Sequence, residues 1–408
     1  MAQWNRVPLI DYIELIGGGT PKTTVPEYWN GNIPWLSVKD FNNDKRYVYS
    51  TEKHISQSGF ENSPTKMLHK DDIIISARGT VGEIAMIPFD MAFNQSCYGI
   101  RASRGIDQPF LYYLLKNCIS QLKRMTHGSV FDTITRDTFA NIEVDIPDAE
   151  TQKRISSVLA DIDNKIEVND AINDNLEQQA KLIYDYWFTQ FDFPDENGKP
   201  YCSSGGKMVW NEQLKRNIPE NWNVVPLLKL VSWESNSQPP KSEFVYEPKE
   251  GYVRFIQNRD YDSDTHITYI PRTKNLSIVD RFDILMDKYG DAGAVRYGIE
   301  GAFNVALGKI CVHNPNYREY IRSFLGSDGI YKFLHNSCMA STRASLSEAN
   351  LAILNVVVPD EKIILDYENF LHKIRVSILK NKEETVELIN LRDWLLPMLM
   401  NGQATIAD

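Results

Sequence analysis

Trp4-Asn5-Arg6-Val7-Pro8-Leu9 returns 218 residues later as Trp222-Asn223-Val224-Val225-Pro226-Leu227, and the motifs that follow it return in the same order. Trp35-Leu36 with Asp40-Phe41 is answered by Phe255-Ile256 with Asp260-Tyr261. Asp72-Ile73-Ile74 with Gly79 and Gly82 is answered by Asp283-Ile284-Leu285 with Gly290 and Gly293. Ala92-Phe93-Asn94 recurs unchanged as Ala302-Phe303-Asn304, and Val144-x-Ile146-Pro147 recurs as Val356-x-Val358-Pro359. The offset drifts between 210 and 220, as it does when a duplicated domain takes insertions in its loops. Two copies of one unit imply a function carried out twice.

Each copy has two parts. Residues 1–148 and 218–360 hold short apolar runs, such as Asp72-Ile73-Ile74-Ile75-Ser76, bounded by Gly, Pro and Asn turns, with helical stretches at 110–124 and 317–336. This is the pattern of a mixed α+β domain. Residues 149–190 and 361–408 read as long helices. Apolar side chains at Ile155, Leu159, Ile162 and Ile166, then Leu176, Ala180, Ile183 and Trp187, alternate steps of four and three, which is a heptad seam. The seam recurs at a constant offset of 212 as Tyr367, Leu371, Ile374 and Ile378, then Leu388, Arg392, Leu395 and Leu399, and Pro397 and Gly402 are expected to end that helix. Both seams break at the same place, with Asn169 and Asn173 in the first and Asn381 and Thr385 in the second. Such a polar break reads either as a stretch where the helices are only partly buried or, the reading preferred because both copies share it, as a device that fixes register at a cost in stability. Residues 191–217, rich in turn formers, read as a connector.

Charge narrows the function. The net charge is -10, and residues 151–200 alone carry 5 Lys and Arg against 10 Asp and Glu, so the helical part is acidic while the rest is near neutral. Tight nonspecific nucleic-acid binding comes from basic side chains, so DNA binding by this chain requires local basic loops, a basic partner, or both. Five widely spaced cysteines without a C-x-x-C pair give neither a disulfide framework nor a zinc site. With no signal-like N-terminus and no apolar run of membrane length, the expectation is a soluble cytoplasmic protein.

Catalytic motifs are missing. No Asn-Pro-Pro-Tyr-like tetrapeptide is present, and Ser237-Gln238-Pro239-Pro240-Lys241 shares only its prolines. Gly301 to Gly308-Lys309 has the wrong glycine spacing for a phosphate loop, with Ile310 where Ser or Thr is needed. The histidines form no metal-spaced pair, and Asp163-x-Lys165 and Glu247-x-Lys249 read as solvated surface charge. What remains is a set of polar and basic side chains on glycine-rich loops, repeated in register. In the first copy these are Thr20, Lys22, Ser37, Lys39, Arg78, Thr80, Asn94, Gln95 and His127; in the second, Gln257, Asn258, Arg259, Lys288, Tyr289, Asn304, Thr342 and Arg343. Glycine lets a backbone approach a ligand, and Arg, Lys, Asn and Gln pair with base edges. One such loop is only a turn; two matching sets point to a shared binding face.

Trp4-x-x-Val7-Pro8-Leu9, Gly18-Gly19-Thr20-Pro21, the run Glu27-Tyr28-Trp29-Asn30-Gly31-Asn32-Ile33-Pro34-Trp35-Leu36, Arg78-Gly79-x-x-Gly82 and Ile146-Pro147 leading into a long helix resemble the DNA-specificity subunits of type I restriction-modification systems. The resemblance spans essentially the whole chain, although the second copy has Glu234-Ser235-Asn236-Ser237 where the first has its Gly-Gly-Thr-Pro stretch. It implies two tandem target-recognition domains, each reading one half of a split double-stranded DNA target. Two spacer helices would pack as an antiparallel coiled coil with pseudo-twofold symmetry and dock two modification subunits, with a separate motor and restriction subunit. It further implies that S-adenosylmethionine, ATP and Mg are bound by those partners and that this chain holds neither cofactor nor metal. In an antiparallel pair Asn173 is expected opposite Asn381 and Asn169 opposite Thr385, on a seam spanning roughly 50 Å at about 1.5 Å per residue. The competing reading is a protein-binding adaptor that never touches DNA, which the acidic charge favours and the matched basic loops oppose.

Overall fold

A computed structural model describes residues 4–41, 45–126, 133–262, 266–339 and 345–406. The chain divides into two compact units, 1–170 with 382–408 and 171–381. In unit 1 ten strands run β1 (Asn5–Pro8), β2 (Ile13–Gly17), β3 (Trp29–Leu36), β4 (Lys53–Ile55), β5 (Met67–Leu68), β6 (Ile73–Ser76), β7 (Ile84–Met86), β8 (Met91–Phe93), β9 (Cys97–Ala102) and β10 (Glu143–Ile146). They form two four-stranded sheets, β2-β9-β6-β7 and β4-β3-β8-β5, and a separate β1-β10 pair. Strand β6 reads Ile-Ile-Ile-Ser and is buried at every position, because it sits inside its sheet with both faces covered. Helices α1 (Gln57–Glu61), α2 (Gln108–Thr126) and α3 (Arg136–Ala140) complete the domain, and α2 buries Phe110, Leu111, Leu114, Leu115 and Leu122 against the strands.

Unit 2 repeats this strand for strand. A connector hairpin of β11 (Met208–Asn211) and β12 (Arg216–Pro219) precedes β13 (Asn223–Pro226), β14 (Val231–Ser235), β15 (Tyr252–Ile256), β16 (Tyr269–Pro271), β17 (Ile278–Val279), β18 (Ile284–Asp287), β19 (Val295–Arg296), β20 (Gly301–Phe303), β21 (Leu307–Val312) and β22 (Asn355–Val358). The sheets are β14-β21-β18-β19 and β16-β15-β20-β17, with a β13-β22 pair. Even the parallel pairing is kept: Trp35 opposite Ala92 in unit 1, Phe255 opposite Ala302 in unit 2. The helical stretch expected at 317–336 is two helices, α5 (Arg318–Leu325) and α6 (Asp328–Met339), because Gly326 closes the first by donating to the Arg322 carbonyl, and the short α7 (Glu348–Leu351) follows.

The long helices are α4 (Ala149–Tyr184), continued by a π-helical turn over Asp185–Thr189, and α8 (Glu361–Met400). Each unit takes the first part of one and the last part of the other. In unit 1, Ile155 and Leu159 share a core with Leu396, Leu399 and Met400. Arg392 pairs with Asp163 at 3.0 Å and the Asn169 amide donates to Glu384 at 2.9 Å, so the two segments run antiparallel within the unit. In unit 2 the Asn381 amide donates to Asn173 at 2.9 Å and Arg375 pairs with Glu177, in the same sense. The Asn169 Oδ1 and Thr385 Oγ1 atoms are buried without a hydrogen bond.

Two expectations fail in these helices. Asp163 is not surface charge: it is 3% exposed, held by Arg392 and by the Tyr113 hydroxyl at 2.6 Å. Pro397 does not end α8. It lies inside the last turn, where it forgoes the N–H bond to the carbonyl four residues back, and Asn401 still donates to its own carbonyl. The helix stops one turn later, where Gly402 adopts φ +65° and Gln403 donates back to Met398, a left-handed cap that glycine makes without strain.

Candidate nucleic-acid interface

Four of the side chains singled out in the first copy meet in one place. Ser37, Lys39, Arg78 and Asn94 line a cleft of about 400 Å³ together with Trp35, Glu52, Lys53 and Ser96. The parallel β3-β8 pair sets its floor, since both strands end at the cleft and their following turns carry Ser37 and Asn94. After β3 the chain makes a short turn over Val38–Asp40, pinned by Asp40 Oδ2, which accepts the Ser37 N–H at 2.7 Å and its hydroxyl at 2.8 Å. The other Asp40 oxygen accepts the Glu52 N–H at 2.7 Å, so one carboxylate holds both walls and leaves Lys39 exposed. Asn94 closes its own turn by accepting the Ser96 N–H at 3.1 Å.

The Gly-Gly-Thr-Pro stretch packs beside this cleft. A Cβ on Gly18 would lie 2.1 Å from the Asn94 carbonyl and one on Gly19 2.4 Å from the Thr65 nitrogen, so only glycine permits that approach. The approach brings the Thr20 hydroxyl onto the Gln95 side chain. Lys22 and Thr80 are exposed but do not line the cleft.

In unit 2 the same turns appear with other residues. Asp260 accepts the Gln257 N–H at 3.1 Å, and the Gln257 amide is tied to Thr268 at 3.1 Å. Arg259 is exposed on the turn that begins at Asn258. Asn304 accepts the Ala306 N–H as Asn94 accepts that of Ser96. The place of the Gly-Gly pair is taken by buried Asn236, which donates to the Ser277 carbonyl at 2.9 Å and accepts the Ser277 N–H at 3.2 Å. A side chain thus makes the link that close backbone contact makes in unit 1. Lys288 and Tyr289 sit on the loop after β18. His127, Thr342 and Arg343 lie outside the described residues.

Lys39, Lys53 and Arg78 against Glu52 make the cleft lining positive on a chain of net charge -10. Lys53 was not legible from the repeat. It lies opposite Trp35 in the β3-β4 ladder, and its ammonium stands 5.8 Å from the Trp29 ring centroid. Among the described residues no group of three or more His, Cys, Asp and Glu could hold a metal ion, and no helix is long and apolar enough to cross a membrane.

Residues 1–178 match the family model described as the type I restriction modification DNA specificity domain. Across 99% of its length the chain is 25% identical to the type I restriction enzyme MjaIX specificity subunit of Methanocaldococcus jannaschii, covering 94% of that protein. It is 23% identical to the HindI specificity subunit of Haemophilus influenzae, over 72% of this chain and 77% of that one. The fold is shared with the crystal structure of a type I restriction-modification system S subunit from M. genitalium, at TM-score 0.63 and 14% identity over 98% of this chain and 96% of that one. Repeat, fold and likeness agree over the whole length: residues 1–178 carry the type I specificity domain, and the chain as a whole is similar to the specificity subunits of type I restriction-modification systems.

Proposed function

We propose that this chain is the non-catalytic, sequence-reading subunit of a type I restriction-modification complex, and that its target is bipartite and asymmetric. In this reading 1–148 and 218–360 are the target-recognition domains, 149–190 and 361–408 the spacer helices, and 191–217 the connector. The helices form an antiparallel coiled coil with pseudo-twofold symmetry that docks two modification subunits and a motor subunit in the cytoplasm. Methyl transfer and cleavage then belong to those partners, together with S-adenosylmethionine, ATP and Mg. DNA contact is assigned to the loop residues named above, with Lys53 added.

The observation that carries the reading is that two domains of one topology present matching turns with different side chains: Lys39 against Arg259, Arg78 against Tyr289, Gln95 against Val305. Equal scaffolds with unequal reading groups suit two different half-sites, because base edges in the major groove are told apart by the side chains that meet them. Methylome sequencing of cells expressing this chain with its modification partner tests it. A split motif with unlike halves is expected; one continuous or palindromic motif overturns it.

A further inference from the structure

The loop after β6 and the loop after β18 are one backbone carrying two sets of side chains. In unit 1 the Ser76 N–H donates to Glu83 at 2.8 Å, Gly82 to Ser76 at 3.0 Å, Ala77 to Ser96 at 2.8 Å and Ile134 to Ala77 at 3.0 Å, all onto carbonyl oxygens. In unit 2 Asp287 donates to Ala294 at 3.0 Å, Gly293 to Asp287 at 2.9 Å, Lys288 to Ala306 at 2.8 Å and Leu346 to Lys288 at 2.9 Å. Gly79 and Gly82 have φ of 81° and 85°; Gly290 and Gly293 have 72° and 97°. Those left-handed positions admit few other residues, so the path of the loop is fixed in both units.

Beneath the two loops the fastenings differ. Ser76 donates to the Thr80 carbonyl at 2.5 Å and accepts the Glu83 N–H at 2.8 Å. In unit 2 Arg296 bridges buried Asp287 at 2.9 Å and Asp291 at 3.5 Å, and Asp291 in turn accepts the Tyr331 hydroxyl. Both devices hold up the same tip, the residue before the first glycine. That residue is Arg78 in one unit and Tyr289, 50% exposed, in the other. Among the described residues neither the guanidinium nor the phenol takes part in a hydrogen bond or ion pair. A loop whose path is fixed by backbone bonds and whose exposed tip side chain is unused by the fold is a loop suited to present it.

Resting on the function proposed above, we propose that Arg78 and Tyr289 are equivalent base-reading positions, Arg78 taking a guanine and Tyr289 the thymine of an A·T pair. The planar fork of arginine matches the O6 and N7 acceptors of guanine in the major groove. A phenol ring cannot make that paired contact, but its apolar face and edge fit against the thymine methyl group.

The test uses the full chain with its modification partner. In the methylome, Arg78→Ala is expected to relax one G·C position in one half-site and leave the other half-site unchanged. Tyr289→Ala should relax one A·T position in the opposite half, and Tyr289→Arg should shift that position toward guanine. Where a variant methylates too weakly to give a motif, the reconstituted complex is titrated with duplexes substituted one base pair at a time. Loss of about 5- to 150-fold discrimination at one pair, with binding to unrelated duplex unchanged, supports the assignment. Unaltered motifs, or an equal loss on all duplexes as a phosphate contact would give, overturn it. Absence of any methylated motif with the unsubstituted chain would instead defeat the function on which the assignment rests.

Discussion

Arg392 occupies a seam position where the heptad pattern asks for an apolar side chain, and it is 1% exposed. Its charge is met by Asp163 at 3.0 Å and Asp393 at 2.9 Å, and those carboxylates hold the guanidinium protonated against the opposing effect of burial. Asp163 is also the acceptor of the Tyr113 hydroxyl, which burial and that carboxylate push well above the ordinary phenol range. A buried pair of this kind adds little net stability, but removing one partner strands the other charge. Arg392→Met alone should therefore destabilise unit 1 by about 3 to 5 kcal/mol, measured by chemical denaturation. Adding Asp163→Leu should recover much of that loss, and a single variant as stable as the parent would remove the pair from the account. The heptad spacing puts Arg392 on the seam but leaves Asp163 looking like surface charge, because nothing in a spacing of four and three tells which polar residue has a buried partner 229 positions away. For the same reason Asn236 went unnoticed: its work is done through Ser277, far along the chain. Lys39, Arg78 and Asn94 were legible because they stand next to glycines and turn residues that recur in register.

At the scale of elements, α8 carries a titrating group that its apolar seam hides. Glu368 accepts the Glu319 N–H at 2.7 Å, yet burial outweighs that bond and pushes its carboxyl up from 4.5 to about 7. The folded form binds this proton more tightly than the unfolded one. The associated stability is therefore full below pH 4.5 and is lost as pH rises through about 7. Glu368→Gln keeps an acceptor oxygen and removes the charge. Thermal unfolding of unit 2 at pH 8 should show a gain on the order of 1 kcal/mol, less than the whole shift implies because solvent screens a partly exposed carboxylate. No gain at pH 8 combined with an unchanged pH profile would contradict the assignment. The helices also carry the proposed spacing role. Four residues inserted near position 171, about one helical turn or 6 Å, should lengthen the unread spacer in the methylated motif while both half-site sequences stay as they were. An unaltered spacer from a complex that still methylates would refute this spacing role. That the two units share one layout followed from the repeat, their strand order did not, and the helix ends followed only in part, since Pro397 is a breaker in sequence and lies inside the last turn in the fold.

Taken as a whole, the molecule interleaves its units in sequence: one is continuous and the other is assembled from two separated stretches. Unit 2 is one uninterrupted stretch, 171–381, whereas unit 1 needs 382–408 to complete the core formed by Ile155, Leu159, Leu396, Leu399 and Met400. Trp4 lies against Gly402 in that same unit, so residues near both termini meet in it. On a ribosome residues 1–170 therefore emerge before unit 2, yet their unit is completed after it. Residues 171 to 408 are 238 positions, which at about 5 to 20 residues per second leaves it waiting on the order of 10 to 50 s with an unclosed apolar surface. A chain stopped after Asn381 should keep the unfolding transition of unit 2 and lose or sharply lower that of unit 1, and a peptide of residues 382–408 added in trans should restore it. An intact unit 1 transition in the shortened chain would show that the missing segment is dispensable. If it is not, nascent chains stalled before residue 382 are the species most exposed to aggregation and to chaperone capture, and synthesis of 382–408 itself becomes a checkpoint on assembly.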